Sequence, residues 1–322
     1  MYKVIMAPTE GSDSEKAAIA VAVKLAQRFE ADLRLVRVQT TPIVIEPLPR
    51  APVLAITEET LREERLARLR KLESLGTQCR ALGEIRVMTA LEDGPVASTL
   101  RHYAEKFNVD LIVMSSHSRG GIKRLTLGSV TDYLIRHTNI PVLVVKPPIS
   151  FLGATPQETF ARIVVPLDGS SLAEQILPQV AALGTQLNAS VNLLQVLTPQ
   201  TYAQKQIMQP GLPWWDTDIA IADEYLAAAA SRLAESGLTV TKDVILSDDI
   251  TNAILDYAKR NSADLIAIAT SGAGGMSRFV FGAVADQVTR QSHTSLLVFH
   301  PESTKISEKI DVDAGIQALA QA

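Results

Sequence analysis

The chain has 322 residues, 47% of them hydrophobic, and a formal net charge of -4, enough length for two cores of ordinary domain size. The acidic balance supplies no basic field for phosphate backbones and argues against nucleic acid as a partner, while Cys79, the single cysteine, excludes internal disulfides and cysteine metal clusters. No apolar run approaches the roughly 20 residues of a membrane span, and the first apolar residues read as a strand rather than a leader, so a cytoplasmic protein without membrane contact is expected.

In chain order, strands are expected near residues 3–8, 32–38, 84–89, 110–115 and 141–146, alternating with helices near 13–30, 57–75, 94–107 and 123–137. The strand residues are apolar on both faces, as in buried parallel strands. Cys79 reads as a packing residue at a helix end. A stretch with Pro147, Pro148, Gly153 and Pro156 has linker composition. The pattern then restarts, with strands near 162–167, 189–197, 238–246, 264–270 and 295–300 and helices near 170–187, 218–236, 249–261 and 277–292. A tail follows, polar at first and helix-prone from Asp313 to Ala320.

The two halves are copies. Asp110 through Val144 lies without a gap on Asp264 through Val298, with identities at Gly120/Gly274, Gly121/Gly275, Arg124/Arg278, Gly128/Gly282, Val130/Val284, Asp132/Asp286 and Arg136/Arg290. Pro8-Thr9-Glu10-Gly11-Ser12 likewise parallels Pro166-Leu167-Asp168-Gly169-Ser170. A period of about 154 residues is a domain rather than a solenoid repeat. The expected division is residues 1–147, a linker at 148–160, residues 161–300 and a tail at 301–322. Each copy should carry its own core, and a single merged sheet would tell against the duplication.

Strand and helix alternation at this spacing predicts, in each copy, a doubly wound α/β fold with a five-stranded parallel sheet. Ligands of such sheets bind beyond the carboxyl ends of the strands, where strand order reverses. The residues after strands one and four therefore matter most. After strand four of the first copy comes Ser115-Ser116-His117-Ser118-Arg119-Gly120-Gly121, then Gly128-Ser129-Val130 at the start of a helix. Small residues, outward amides at a helix start and a hydroxyl suit a phosphate group, but glycines also serve a tight strand-to-helix turn. Asp132 and Arg136, like Asp286 and Arg290, are spaced i to i+4 and read as structural surface pairs.

In these motifs the chain resembles the universal stress protein family, and the resemblance covers nearly its whole length. It implies two tandem domains of an adenine nucleotide alpha hydrolase-like fold, related by a pseudo-twofold axis and paired through their fifth strands, with further homodimerisation open. Nucleotide-binding members carry Gly-x-x-Gly-x9-Gly-Ser/Thr after strand four. Here the four positions read Ser115, Ser118, Gly128 and Ser129 in the first copy and Ala269, Gly272, Gly282 and Ala283 in the second, so each keeps a different half of the signature. ATP-binding members also use an acidic residue at the end of strand one, a place held by Glu10 after Pro8-Thr9 and by Asp168 after Pro166-Leu167. The resemblance implies a cytoplasmic stress-response protein with weak binding of ATP or AMP, with Mg in the case of ATP, and His117 as a loop contact.

Two alternatives stay open. The chain could be a nucleotide-free scaffold that captures protein partners on the proline-rich stretch Thr40 to Ile56 and on Thr198 to Asp218, which holds Trp214 and Trp215; the latter could also act as a lid. It could instead be a slow ATP-hydrolysing enzyme. No catalytic residue and no metal ligand set is found, since the five histidines lack metal-ligand spacing and no P-loop or nucleophile elbow occurs.

Overall fold

The computed structural model describes residues 2–40, 58–116, 127–146, 160–199, 214–270 and 281–301. In the first half β1 (Val4–Pro8) leads through a short 3-10 turn into α1 (Lys16–Phe29). It continues with β2 (Asp32–Gln39), α2 (Glu58–Ala81), β3 (Val87–Asp93), α3 (Val96–Lys106), β4 (Leu111–Ser115), α4 (Ser129–His137) and β5 (Val142–Val145). The second half repeats this with β6 (Arg162–Pro166), α5 (Ser171–Glu174), α6 (Leu177–Leu187), β7 (Ser190–Leu197), α7 (Trp214–Ala234), β8 (Thr239–Leu246), α8 (Ile250–Arg260), β9 (Leu265–Ala269), α9 (Ala283–Gln291) and β10 (Ser295–Phe299).

The strands run in the order β3-β2-β1-β4-β5-β10-β9-β6-β7-β8. Pairing is parallel within each half and antiparallel where β5 meets β10. The two sheets are therefore continuous, against the expectation that a merged sheet would contradict duplication. The reason lies in the edges. β5 and β10 are apolar on both faces, and each would otherwise leave a row of backbone groups open, so they close on one another. Val142, Leu143 and Val144 face Val298, Leu297 and Leu296 across this seam, and all six are at most 1% exposed. Read outward from the seam, both halves have the same order, so the merger leaves the repeat intact.

Helices cover both faces. Leu25, Leu72, Val180 and Leu226, from α1, α2, α6 and α7, share one core, and Leu100, Leu134, Ile254 and Val288, from α3, α4, α8 and α9, share the other. Both cores cross the seam. Tyr2 donates to Gln179 Oε1 at 2.8 Å from the opposite half, and Lys146 Nζ donates to the carbonyls of Thr289 and Ser292 at the end of α9. Burial pulls the Lys146 amine down to about 8. Asp110 and Asp264, which open the longer repeat, each receive two backbone amides at the start of the neighbouring strand, from Lys3 and Val4 and from Ala161 and Arg162.

Several element bounds differ from the expectation, each for a local reason. α2 runs to Ala81 rather than residue 75, and the added turns bury Cys79. Consequently β3 spans Val87–Asp93 instead of 84–89, ending in acidic residues that hid it. α4 and α9 begin at Ser129 and Ala283, later than 123 and 277, because the Gly128 and Gly282 amides are tied to the Ser116 and Thr270 carbonyls, at 3.0 and 2.7 Å. The helix expected over 170–187 divides into α5 and α6 around Pro178, which sits in the first turn of α6 and has no amide to continue the α5 ladder. α7 starts at Trp214 rather than 218, which takes both tryptophan positions out of the preceding connection.

Candidate functional site

The turn after the first strand of each half is built alike and filled differently. Gly11 and Gly169 take φ of +81° and +85°, a left-handed conformation that a side chain would strain. In the first half Glu15 lies under this turn, 5% exposed. Its carboxylate accepts from Thr9 Oγ1 at 2.7 Å, from the Glu10 amide at 2.8 Å and from the Gly11 amide at 3.2 Å. The matching residue of the second half is Ala173. There Asp168 Oδ1 takes the Ser170 amide at 3.0 Å and the Ser170 hydroxyl at 2.6 Å, while Ser170 Oγ accepts from the Ala173 amide at the start of α5.

The second component is the connection from β4 to α4. Gly128 is held against the strand end, so that a Cβ there would lie 3.2 Å from the Ser116 carbonyl; at Gly282 the same distance separates a Cβ from the Thr270 carbonyl. The glycine common to both copies thus has a packing reason of its own. Ser129 and Ala283 are exposed at the first helical position, and the first-turn amides of these helices have no intrahelical acceptor.

Between the two components of the first half lies a cleft of about 300 Å³, at the low end for a small-ligand site. Pro8, Thr9, Glu10, Ser115, Gly128, Ser129 and Val130 line it together, with Glu15, Gln39, Thr40 and Arg68. It opens at the switch point between β1 and β4. In the second half Pro166 ends β6 and Ala269 ends β9, while Gly282 precedes α9 and Ala283 opens it. Leu167 is buried in the core and Asp168 is exposed on its own turn. His117, Ser118 and Gly272, with Arg119, Lys123 and Arg124, lie outside the described residues, as do 41–57, 147–159, 200–213 and the tail beyond 301.

A polar relay closes the far wall of the first cleft. Gln39 and Asp93 are register partners at the ends of β2 and β3, and Gln39 Nε2 donates to Asp93 Oδ1 at 2.7 Å. From α2, Arg65 Nη1 donates to Asp93 Oδ2 at 2.5 Å. Arg68 donates to Gln39 Oε1 and to Glu64 Oε2, both at 3.0 Å. Sequence reading overlooked this relay and Glu15. Glu15 carried a faint signal, an acid where the other copy has alanine; the relay joins three distant segments and had none.

The Asp-Arg pairs of the repeat reach further than one helix. Arg136 and Arg290 bond Asp132 and Asp286 on their own helices, each at 3.0 Å. Each also crosses the seam, Arg136 to Asp286 at 2.5 Å and Arg290 to Asp132 at 2.9 Å, closing a ring of four charges. Arg136 also stacks on Phe281 at 4.4 Å. Burial would push the Asp286 carboxyl up, but the Arg290 and Arg136 guanidinium groups prevail and hold it below the usual carboxylate range. The pairs are structural, as expected, but they join the halves rather than decorate a surface.

Among the described residues there is no cluster of three or more metal-ligating side chains and no helix long and apolar enough to cross a membrane. Fold and cleft together define a tandem α/β protein with two open-sheet modules joined edge to edge across one antiparallel seam. The chain belongs to the universal stress protein family, whose model matches residues 1–146 and again 159–300. A universal stress protein of Methanocaldococcus jannaschii is 33% identical over 149 residues, 46% of this chain and 84% of that protein. One from Mycolicibacterium smegmatis is 23% identical over 309 residues, covering 92% of this chain and 97% of its own length. The crystal structure of a universal stress protein from Archaeoglobus fulgidus superposes with a TM-score of 0.65 at 16% identity, over 92% of this chain and 98% of that one, a likeness of fold.

Proposed function

We propose that the chain is a cytoplasmic stress-response protein regulated by weak binding of an adenine nucleotide, ATP or AMP, in the first-half cleft. The observation that carries this reading is the convergence of seven residues, from the turn after β1 and from the β4 to α4 connection, on one cavity. The residues fit such a ligand in a particular way. Glu15 already occupies the turn amides of Glu10 and Gly11, so a phosphate would be held at the other side, by the Ser129 hydroxyl and the first-turn amides of α4. Glu10, which lines the same cleft, would meet the ribose. The second half has Ala283 in place of that hydroxyl, which favours the first. In this reading the nucleotide acts as a ligand whose occupancy is read out rather than as a substrate.

Calorimetry of the full chain with ATP, ADP and AMP tests this. Saturable heat is expected, and Ser129→Ala should weaken binding by about one to two decades, the worth of a hydrogen bond to a charged oxygen. Absence of heat at millimolar ligand would remove the reading.

A further inference from the structure

The two copies keep the same framework after strands one and four and differ in what lines it. Around Gly128 the first half presents Ser115, Ser129 and Thr131; around Gly282 the second has Ala269, Ala283 and Ala285. At the outer rim the register partners closing β2 and β3 are Gln39 and Asp93, and those closing β7 and β8 are Leu197 and Leu246. Both ends of the second cleft have therefore exchanged hydrogen-bonding side chains for apolar ones, while Gly282 is held against its strand as Gly128 is. Leu246 is 46% exposed, and Val196 and Leu197 are half-buried. Such a rim is recognised by apolar contact.

The chain delivers its own C-terminal segment to the lip of this cleft. Phe299 and Ala269 are register partners at the ends of β10 and β9. The Thr270 amide donates to the Phe299 carbonyl at 2.9 Å, and Thr270 Oγ1 lies 2.6 Å from His300 Nδ1. Thr270 is also the residue whose carbonyl holds the Gly282 amide, and Pro301 is buried. The matching residue of the first half, Lys146, instead turns across the seam to the end of α9. Beyond Pro301 the sequence runs through residues 302–322. From β10 to β8 is four strand spacings, about 19 Å, and ten extended residues reach about 33 Å. The sequence can therefore bring Val312, Ile316 and Leu319 to the rim. Their i, i+4, i+7 spacing puts them on one helical face, with Asp313 and Gln317 turned away. A helix that short is marginal unless its apolar face finds a surface.

We propose that the C-terminal segment docks in the second-half cleft of its own chain, laying the Val312, Ile316 and Leu319 face on the rim of Leu197 and Leu246. The second copy is then a groove for an amphipathic helix, filled in cis, while the first keeps its polar lining for a small ligand. This inference does not depend on nucleotide binding in the first half. It concerns residues that the ligand reading leaves unused.

Hydrogen–deuterium exchange of the full chain, read by mass spectrometry, tests this in the natural protein, in Ile316→Asp and in Leu246→Asp. Amides of residues 312–320 should exchange about tenfold more slowly in the natural protein than in either variant. The rim should respond in turn, with the Ser247 amide, bonded to the Leu197 carbonyl, exchanging faster in Ile316→Asp. Unchanged protection of β9 and β10 confirms that the variants are folded, and should Leu246→Asp lose it, the Ile316→Asp comparison decides alone. Equal exchange of residues 312–320 in the natural protein and Ile316→Asp would overturn the inference, since nothing would then hold the segment. Protection that survives Leu246→Asp in a folded chain would overturn it too, placing the segment elsewhere. Protection that fades on dilution, together with a dimer-to-monomer change in light scattering, would make a second copy the donor and overturn docking in cis.

Discussion

Replacing Val144 with aspartate tests whether the seam between β5 and β10 holds the two halves as one body. Val144 has no exposed surface and faces Leu296 across the antiparallel pairing. Removing the side chain forfeits about 1.5 to 3 kcal/mol of apolar burial, and a carboxyl group set there, even neutralised, costs about 1 to 3 kcal/mol more without a partner. The total, roughly 2.5 to 6 kcal/mol, reaches at its upper end the whole stability of a marginal domain. Val144→Ala removes two carbon atoms and leaves no polar group, so it should cost about 1 to 2 kcal/mol. Urea unfolding of the full chain followed by far-ultraviolet circular dichroism measures both. The graded order, natural protein above Val144→Ala above Val144→Asp, is expected, with a lower m-value or a second transition in the aspartate variant if the halves part before they unfold. A Val144→Asp midpoint equal to that of the natural protein, or to that of Val144→Ala, would refute a desolvated seam.

Glu15→Ala should destabilise the chain by about 2 to 4 kcal/mol, since the Thr9 hydroxyl and the Glu10 and Gly11 amides lose their shared acceptor. Glu15→Gln, which keeps one acceptor oxygen, should recover part of that loss, and equal unfolding midpoints for the two variants would count against the turn being held this way. The four-charge ring predicts a pH dependence. Because the Asp286 carboxyl is depressed in the folded protein, its contribution is in place above the unfolded value of about 3.9 and disappears as pH falls through the lower folded value. Asp286→Asn should therefore flatten the acid limb of a stability-pH curve, and a double-mutant cycle with Arg136→Met should give a coupling of about 1 kcal/mol, modest because the side chains are 30% exposed. A coupling of zero would show that the cross-seam pair does not join the halves.

Much of the molecule was legible in the sequence because its signals are local. Apolar runs of strand length, helices buried along one face and the punctuation of Gly11 and Gly169 depend on neighbours a few residues away, and the repeat displayed the same code twice. The placement of Pro8, Thr9, Glu10, Ser115, Gly128, Ser129 and Val130 around one cleft followed as well, since parallel crossovers force the ends of strands one and four together. The pairing of the halves through their fifth strands was expected from the family resemblance and is what β5 and β10 do. What the sequence left undecided was the side-chain partnerships of segments that meet only after folding. The ring that links Asp132, Arg136, Asp286 and Arg290 needs two helices about 150 residues apart to face each other, and each helix alone satisfies the same charges within itself. The relay behind Arg68 likewise brings together β2, β3 and α2. Spacing along the chain encodes which face a residue takes, but which partner waits on that face is set by packing, and only the tertiary structure decides it.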